Sequence, residues 1–259
     1  MSDNNLQDLE LAGVRWEITD MPIMAPRIKP TPDVADTPKR PTVATIVAEI
    51  GRAAASVVPA VAPMQTMSID TVRAMAARPN DMETLNRMIG EFNHPLRMTA
   101  TNTVLPHVGD GKLLVITDVP TPDDDASGNI LSGPVGELMD KMLGAIGESR
   151  KSVSIVPMLF WRTPGGRTPS QDELDMARPF VNRAIELLGP RVILTLGTLP
   201  ATQIANVNLA KSHGEPVEIG DNMTCVPIFH PNYLILKPAA KRDVWNALQI
   251  AQNILKSDE

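Results

Sequence analysis

The chain reads as an α/β protein, a single domain with a central, mainly parallel sheet flanked by helices and preceded by a proline-rich tail. Three observations lead there. From residue 112 onward, short β-rich runs alternate with longer segments of helical period, and strands separated by helices imply parallel pairing with both faces of the sheet covered. The 259 residues are 43% hydrophobic, enough for a core of that kind. The first 66 residues show no such alternation. Pro22, Pro26, Pro30, Pro32, Pro38, Pro41, Pro59 and Pro63 recur among small residues there, which predicts a disordered tail over 1–66 and a folded domain over 67–259. The apolar patch 43–50 inside the tail reads as a transient helix or as a docking peptide for another protein.

Within the domain, Ser68-Ile69-Asp70 and Asn80-Asp81-Met82-Glu83 look like helix starts, and Leu85, Met88 and Ile89 continue the second at helical spacing up to Gly90. Residues 112–117 form a short buried strand. Residues 135–146 carry apolar positions at a helical period, with Gly147 as the stop. The alternation then repeats: a strand over 153–160, a helix over 170–188 that Ser170 can cap, and a strand over 191–196 ahead of Gly197. A short helix over 198–206, a strand over 226–229 and a final helix over 242–255 complete the domain.

The last strand runs into Phe229-His230-Pro231-Asn232-Tyr233-Leu234. A residue before proline is pushed toward extended backbone, so His230 leaves the sheet with its imidazole presented at the rim, where open α/β sheets bind ligands. Together with Pro238-Ala239-Ala240-Lys241-Arg242, with Arg162-Thr163-Pro164-Gly165-Gly166-Arg167-Thr168-Pro169 and with Arg178-Pro179-Phe180, this segment resembles the signatures of the uracil-DNA glycosylase superfamily. The likeness is greatest to its iron–sulfur type, family 4, from about residue 82 to the C-terminus. It implies an α/β/α sandwich and the hydrolysis of the N-glycosidic bond of uracil, or of a related damaged base, in base-excision repair.

Carried over residue by residue, the resemblance makes Asp118 and His230 the catalytic pair. Asp118 stands for the glutamate of the family's Gly-Glu-Ala-Pro-Gly loop, and Thr117 and Thr121 replace that loop's glycines. Val119, Pro120, Leu131, Pro157 and Asn232 fall at substrate-binding positions. Leu131 lacks the ring on which uracil stacks, a contact worth roughly 1–3 kcal/mol, and Pro157 lacks the amide that reads the base. Arg162, Arg167, Thr168, Lys237, Lys241 and Arg242 are the expected DNA contacts, holding phosphates without reading sequence.

The family's cluster cysteines fall at Trp161 and Ala177, and Cys225 is the only cysteine in the chain. An iron–sulfur cluster is therefore not expected, and no other cofactor or metal is implied. His94, His107 and His213 lack metal-ligand spacing and read as plain loop residues. The run Asp123-Asp124-Asp125 reads as a solvated turn.

A formal charge of −6 argues against a surface that grips nucleic acid everywhere, and leaves room for a local basic patch. The start, Met1-Ser2-Asp3-Asn4-Asn5, has no basic segment followed by an apolar one, and no run is long enough to cross a bilayer. A monomer in the cytoplasm, on the nucleoid when bound to DNA, is the expectation. Two functions stay open: a glycosylase with altered or weakened base choice, and an idle relative that keeps the scaffold as a nucleic-acid or protein-binding module.

Overall fold

The computed structural model describes residues 67–220 and 222–257. The expectations for the proline-rich tail and its apolar patch lie outside them.

Five strands form one sheet: β1 (Leu113–Thr117), β2 (Val153–Pro157), β3 (Val192–Leu196), β4 (Val217–Glu218) and β5 (Thr224–Ile228). Their order is β2-β1-β3-β5-β4, parallel throughout except for the short antiparallel edge strand β4. The helices are α1 (Ile69–Ala76), α2 (Met82–Glu91), α3 (Pro122–Ser127), α4 (Gly133–Ala145), α5 (Gln171–Leu188), α6 (Thr198–Ala205), α7 (Leu209–Ser212), α8 (Pro231–Leu236) and α9 (Lys241–Lys256).

Alternation along each strand separates two cores. Leu113, Val115, Val192, Leu194, Leu196, Val226 and Ile228 point to one face, where α4 contributes Met139 and Leu143 and α9 contributes Val244 and Leu248. Leu114, Ile116 and Ile193 point to the other, under Val72 of α1, Leu85 of α2 and Phe180 and Val181 of α5. A sheet buried on both faces is why these strands read as continuous apolar runs. Aliphatic side chains fill the first core. The second holds the rings of Phe92, Phe160, Trp161 and Phe180.

Local signals set the helix starts. Ser68 and Asp81 accept the backbone N–H of Thr71 and Thr84, and Ser170 with Glu173 closes a capping box at the head of α5. Gly90 lies inside α2, and that helix ends one residue later. β2 is shorter than expected. It stops at Pro157, and 158–160 continue as buried irregular chain tied by Met158 N–H to the Thr117 carbonyl and by Val104 N–H to that of Phe160.

The aspartate run is not a solvated turn. It opens α3, with Asp124 and Asp125 buried. Asp124 accepts the N–H groups of Thr121 (2.9 Å) and Ser132 (2.6 Å), and Asp125 those of Thr101 (2.8 Å) and Asn102 (3.1 Å). Buried carboxylates that accept several backbone donors fasten loops together. Here they tie the chain after β1 to the segments before β1 and before α4.

The other three histidines also have structural tasks. His94 is fully buried and stacks on Trp161 with centroids 4.7 Å apart; its Nδ1 accepts Leu96 N–H, and its Nε2 meets the Glu173 carbonyl at 3.1 Å. His107 pairs with Ile155 and places Nε2 2.6 Å from the Arg150 carbonyl. His213 stacks on Phe229 at 4.1 Å.

Candidate active site

In the strand order, β2 lies on one side of β1 and β3 on the other, so the connections from the two ends of this pair diverge. A crevice opens at such a switch point beyond the carboxyl ends of the strands. Asp118 follows β1, Gly197 follows β3 and His230 follows β5. A cavity of about 340 Å³ is lined by these three with Thr198, Leu209, Ala210, Phe229 and Tyr233.

Gly197 sits between the two polar groups. It has φ 99, and a Cβ placed on it would stand 3.6 Å from both Asp118 Oδ2 and His230 Cβ. Positive φ is what requires glycine there; the missing side chain also leaves the floor of the cavity open between carboxylate and imidazole.

His230 is the N-cap of α8, with Pro231 in the first helical position. Its Nδ1 accepts the N–H of Asn232 at 3.2 Å, so the neutral ring carries its proton on Nε2, which faces Thr117 Oγ1 at 3.2 Å. Burial disfavours the imidazolium and lowers the pKa to about 4. At neutral pH His230 is therefore an uncharged hydrogen-bond donor. Asp118 is half-buried. Burial raises its pKa, partly opposed by the 2.9 Å bond from Val119 N–H to Oδ1. A carboxylate short of solvation is the more eager to accept a proton.

The remaining expected substrate residues are placed less uniformly. Val119 packs partly buried against the ring-rich core, and Pro120 is buried beside it. Asn232 is exposed and contributes its backbone N–H to His230. Leu131, 2% exposed, belongs to the aliphatic core and is not among the cavity-lining side chains. It adopts φ 50, and Arg150 clamps the loop by donating to the Ile130 and Leu131 carbonyls at 2.9 and 2.6 Å. The close approach of α4 is possible because residue 136 is glycine: a Cβ there would lie 1.7 Å from the Leu131 oxygen. Pro157 is buried at the end of β2, opposite Thr117, and does not line the cavity either.

The rings at the cavity come instead from the β5 end. Phe229 and Tyr233 lie 4.9 Å apart and both line it, with Tyr233 43% exposed. Their sequence signal is Phe229-His230-Pro231-Asn232-Tyr233 itself, where helical spacing from the N-cap brings residue 233 over residue 230.

The cationic residues lie in segments beyond β2 and β5. Those strands are three sheet positions apart, roughly 14 Å at the usual strand spacing, with Asp118 and Gly197 between them. Lys237, Lys241 and Arg242 are exposed, and Arg162 is half-buried. Arg167 is committed within the protein: its Nη1 donates to Glu173 Oε2 at 2.8 Å and to the Thr168 carbonyl at 3.1 Å. That guanidinium, with help from Ser170 N–H, holds the Glu173 carboxyl down at about 2. Thr168 is exposed beside it.

The residues at the family's cluster positions do not fit an iron–sulfur group. Trp161 and Ala177 are both fully buried in the ring-rich core, and Trp161 Nε1 donates to Thr103 Oγ1 at 3.0 Å. Cys225 is buried inside β5, its thiol pushed up to about 11. Among the described residues, no group of three or more His, Cys, Asp or Glu is arranged to hold a metal ion.

The family model of the uracil DNA glycosylase superfamily matches residues 106–249. The type-4 uracil-DNA glycosylase of Archaeoglobus fulgidus is 28% identical over 177 residues, covering 62% of this chain and 88% of that protein. That of Thermotoga maritima is 28% identical over 173 residues, 63% and 88%. That of Pyrobaculum aerophilum is 26% identical over 173 residues, 62% and 88%.

Proposed function

Since the chain belongs to the uracil-DNA glycosylase superfamily, we propose that it hydrolyses the N-glycosidic bond of uracil, or of a related damaged base, in DNA. The observation that carries this reading is the meeting of Asp118 and His230 at one cavity, on either side of Gly197.

Cleavage needs the base turned out of the stack and the charge on the departing base stabilised. The C1′–N1 bond breaks with its electron pair going to the base, whose negative charge spreads to the ring carbonyl oxygens. The uncharged His230 supplies Nε2–H to that oxygen. A water oxygen adds to C1′, and Asp118 accepts the proton it releases. Lys237, Lys241, Arg242 and Arg162 hold phosphates on either side of the crevice. Arg167 and Thr168 brace that loop, and Arg167 reaches DNA only in exchange for Glu173.

Base release from a uracil-containing oligonucleotide tests the proposal. The wild type is expected to leave abasic sites, and His230→Ala to lower the single-turnover rate by roughly 10²–10³, the usual loss for a donor to a developing anion, with a stability loss of only about 1 kcal/mol from the missing α8 cap. The binding-module reading is favoured by one observation, the aliphatic, core-buried side chain of Leu131 at the family's stacking position. Oligonucleotide binding without any release of base would select it.

A further inference from the structure

We infer that the Thr117 hydroxyl competes with the base for His230, occupying the imidazole's one donor until a substrate carbonyl draws it away. This rests on the glycosidic reading of the site and adds to it the residue that sets how readily a base is accepted.

A neutral imidazole has a single N–H. The Nδ1 lone pair of His230 is already used by Asn232 N–H, so the ring cannot change tautomer without losing that bond. Its Nε2–H is directed at Thr117 Oγ1, 3.2 Å away. The hydroxyl is well placed to keep it. Thr117 is the last residue of β1, in register with Pro157, and its carbonyl accepts Met158 N–H at 3.0 Å. The side chain is 4% exposed and β-branched, hence stiff about χ1.

Thr117 does not line the cavity, while His230 does. A carbonyl bound in the cavity must therefore take the donor from a buried hydroxyl behind it. Exchanging one neutral acceptor for another gains little, so the contact weakens binding of the intact nucleotide. A departing anionic base accepts roughly twice as strongly and wins the donor. The hydroxyl thus holds back neutral occupants, and the donor passes to a base as negative charge develops on a carbonyl next to the broken bond.

Thr117→Val keeps the shape and removes the acceptor; Thr117→Ser keeps the acceptor. For a uracil oligonucleotide, Thr117→Val is expected to lower KM by roughly two- to tenfold, the range of one neutral hydrogen bond, with a smaller change in kcat. Thr117→Ser should match the wild type. A loss of activity in Thr117→Val that Thr117→Ser restores would overturn the inference, since the hydroxyl would then be passing its own hydrogen to the substrate.

Imidazole NMR reads the competition without turnover. Titrated with free uracil, the His230 Nε2–H resonance should move at lower concentration in Thr117→Val than in the wild type. Equal midpoints, or a resonance unmoved in both proteins, would overturn the inference. Base release measured alongside judges the glycosidic reading separately.

Discussion

Beyond the end of β2 the chain is closed by rings, whereas beyond β1 and β5 it is held by polar groups at the edge of a cavity. Around Trp161 the indole N–H has a partner, His94 has one on each nitrogen, and Phe92, Phe160 and Phe180 pack around the stacked pair. Nothing there asks for a ligand. Asp118 and His230, by contrast, are both shifted toward their uncharged forms by burial, with no charged neighbour among the causes. The difference teaches that the chain beyond β2 is ordinary core, its polar atoms partnered within the protein, while the neighbouring rim holds desolvated acid–base groups of the kind chemistry uses.

Trp161→Ala should break the comparison hardest. Removing a fully buried indole is expected to cost about 3–5 kcal/mol of stability, read by denaturant unfolding, and surviving folded protein should keep its base-release rate. A fall in rate with unchanged stability would place the ring region inside the site.

Acid should separate the two regions next. His94 and His230 are both depressed from 6.5, so the stability each contributes is fully present above 6.5 and is lost as pH falls, for His230 down to about 4. Asp118 acts in the opposite sense, since its raised carboxyl favours the fold at low pH and less so as pH rises through its folded pKa. Melting temperature should fall from pH 7 to pH 4.5, and His230→Gln should flatten that decline. A decline as steep in the variant would remove His230 as its source.

The smallest effects sharpen the account of the flanking cations. Lys241→Ala should lower the salt slope of DNA binding by about one and leave the melting temperature alone. Arg167→Ala should lower the melting temperature, because Glu173 is 11% exposed and loses its partner. Equal behaviour of the two variants would mean that Arg167 is not fixed by Glu173.

Much of this architecture was legible in the sequence. Strand and helix alternated cleanly, and Ser68, Asp81 and Ser170 marked helix starts by chemistry that acts within three residues. Asp118 and His230 could be read as strand-end residues for the same reason. What escaped was nonlocal. Three consecutive aspartates look solvated unless one knows that Thr101 and Asn102 approach from more than twenty residues away. His94 looked like a loop residue because its stacking partner lies far along the chain. α8 carries a cap followed by proline, which signals a helix start, but its six residues are too short to show a period. The Thr117–His230 contact joins residues 113 apart, and no spacing rule reaches so far.

Tyr233, half-exposed at the cavity, is the only tyrosine in all 259 residues. A reagent that nitrates phenols would therefore mark this protein at one address, and the colour of the nitrophenolate, which answers to nearby charge, would report the arrival of an anionic strand at the cavity without any engineered label.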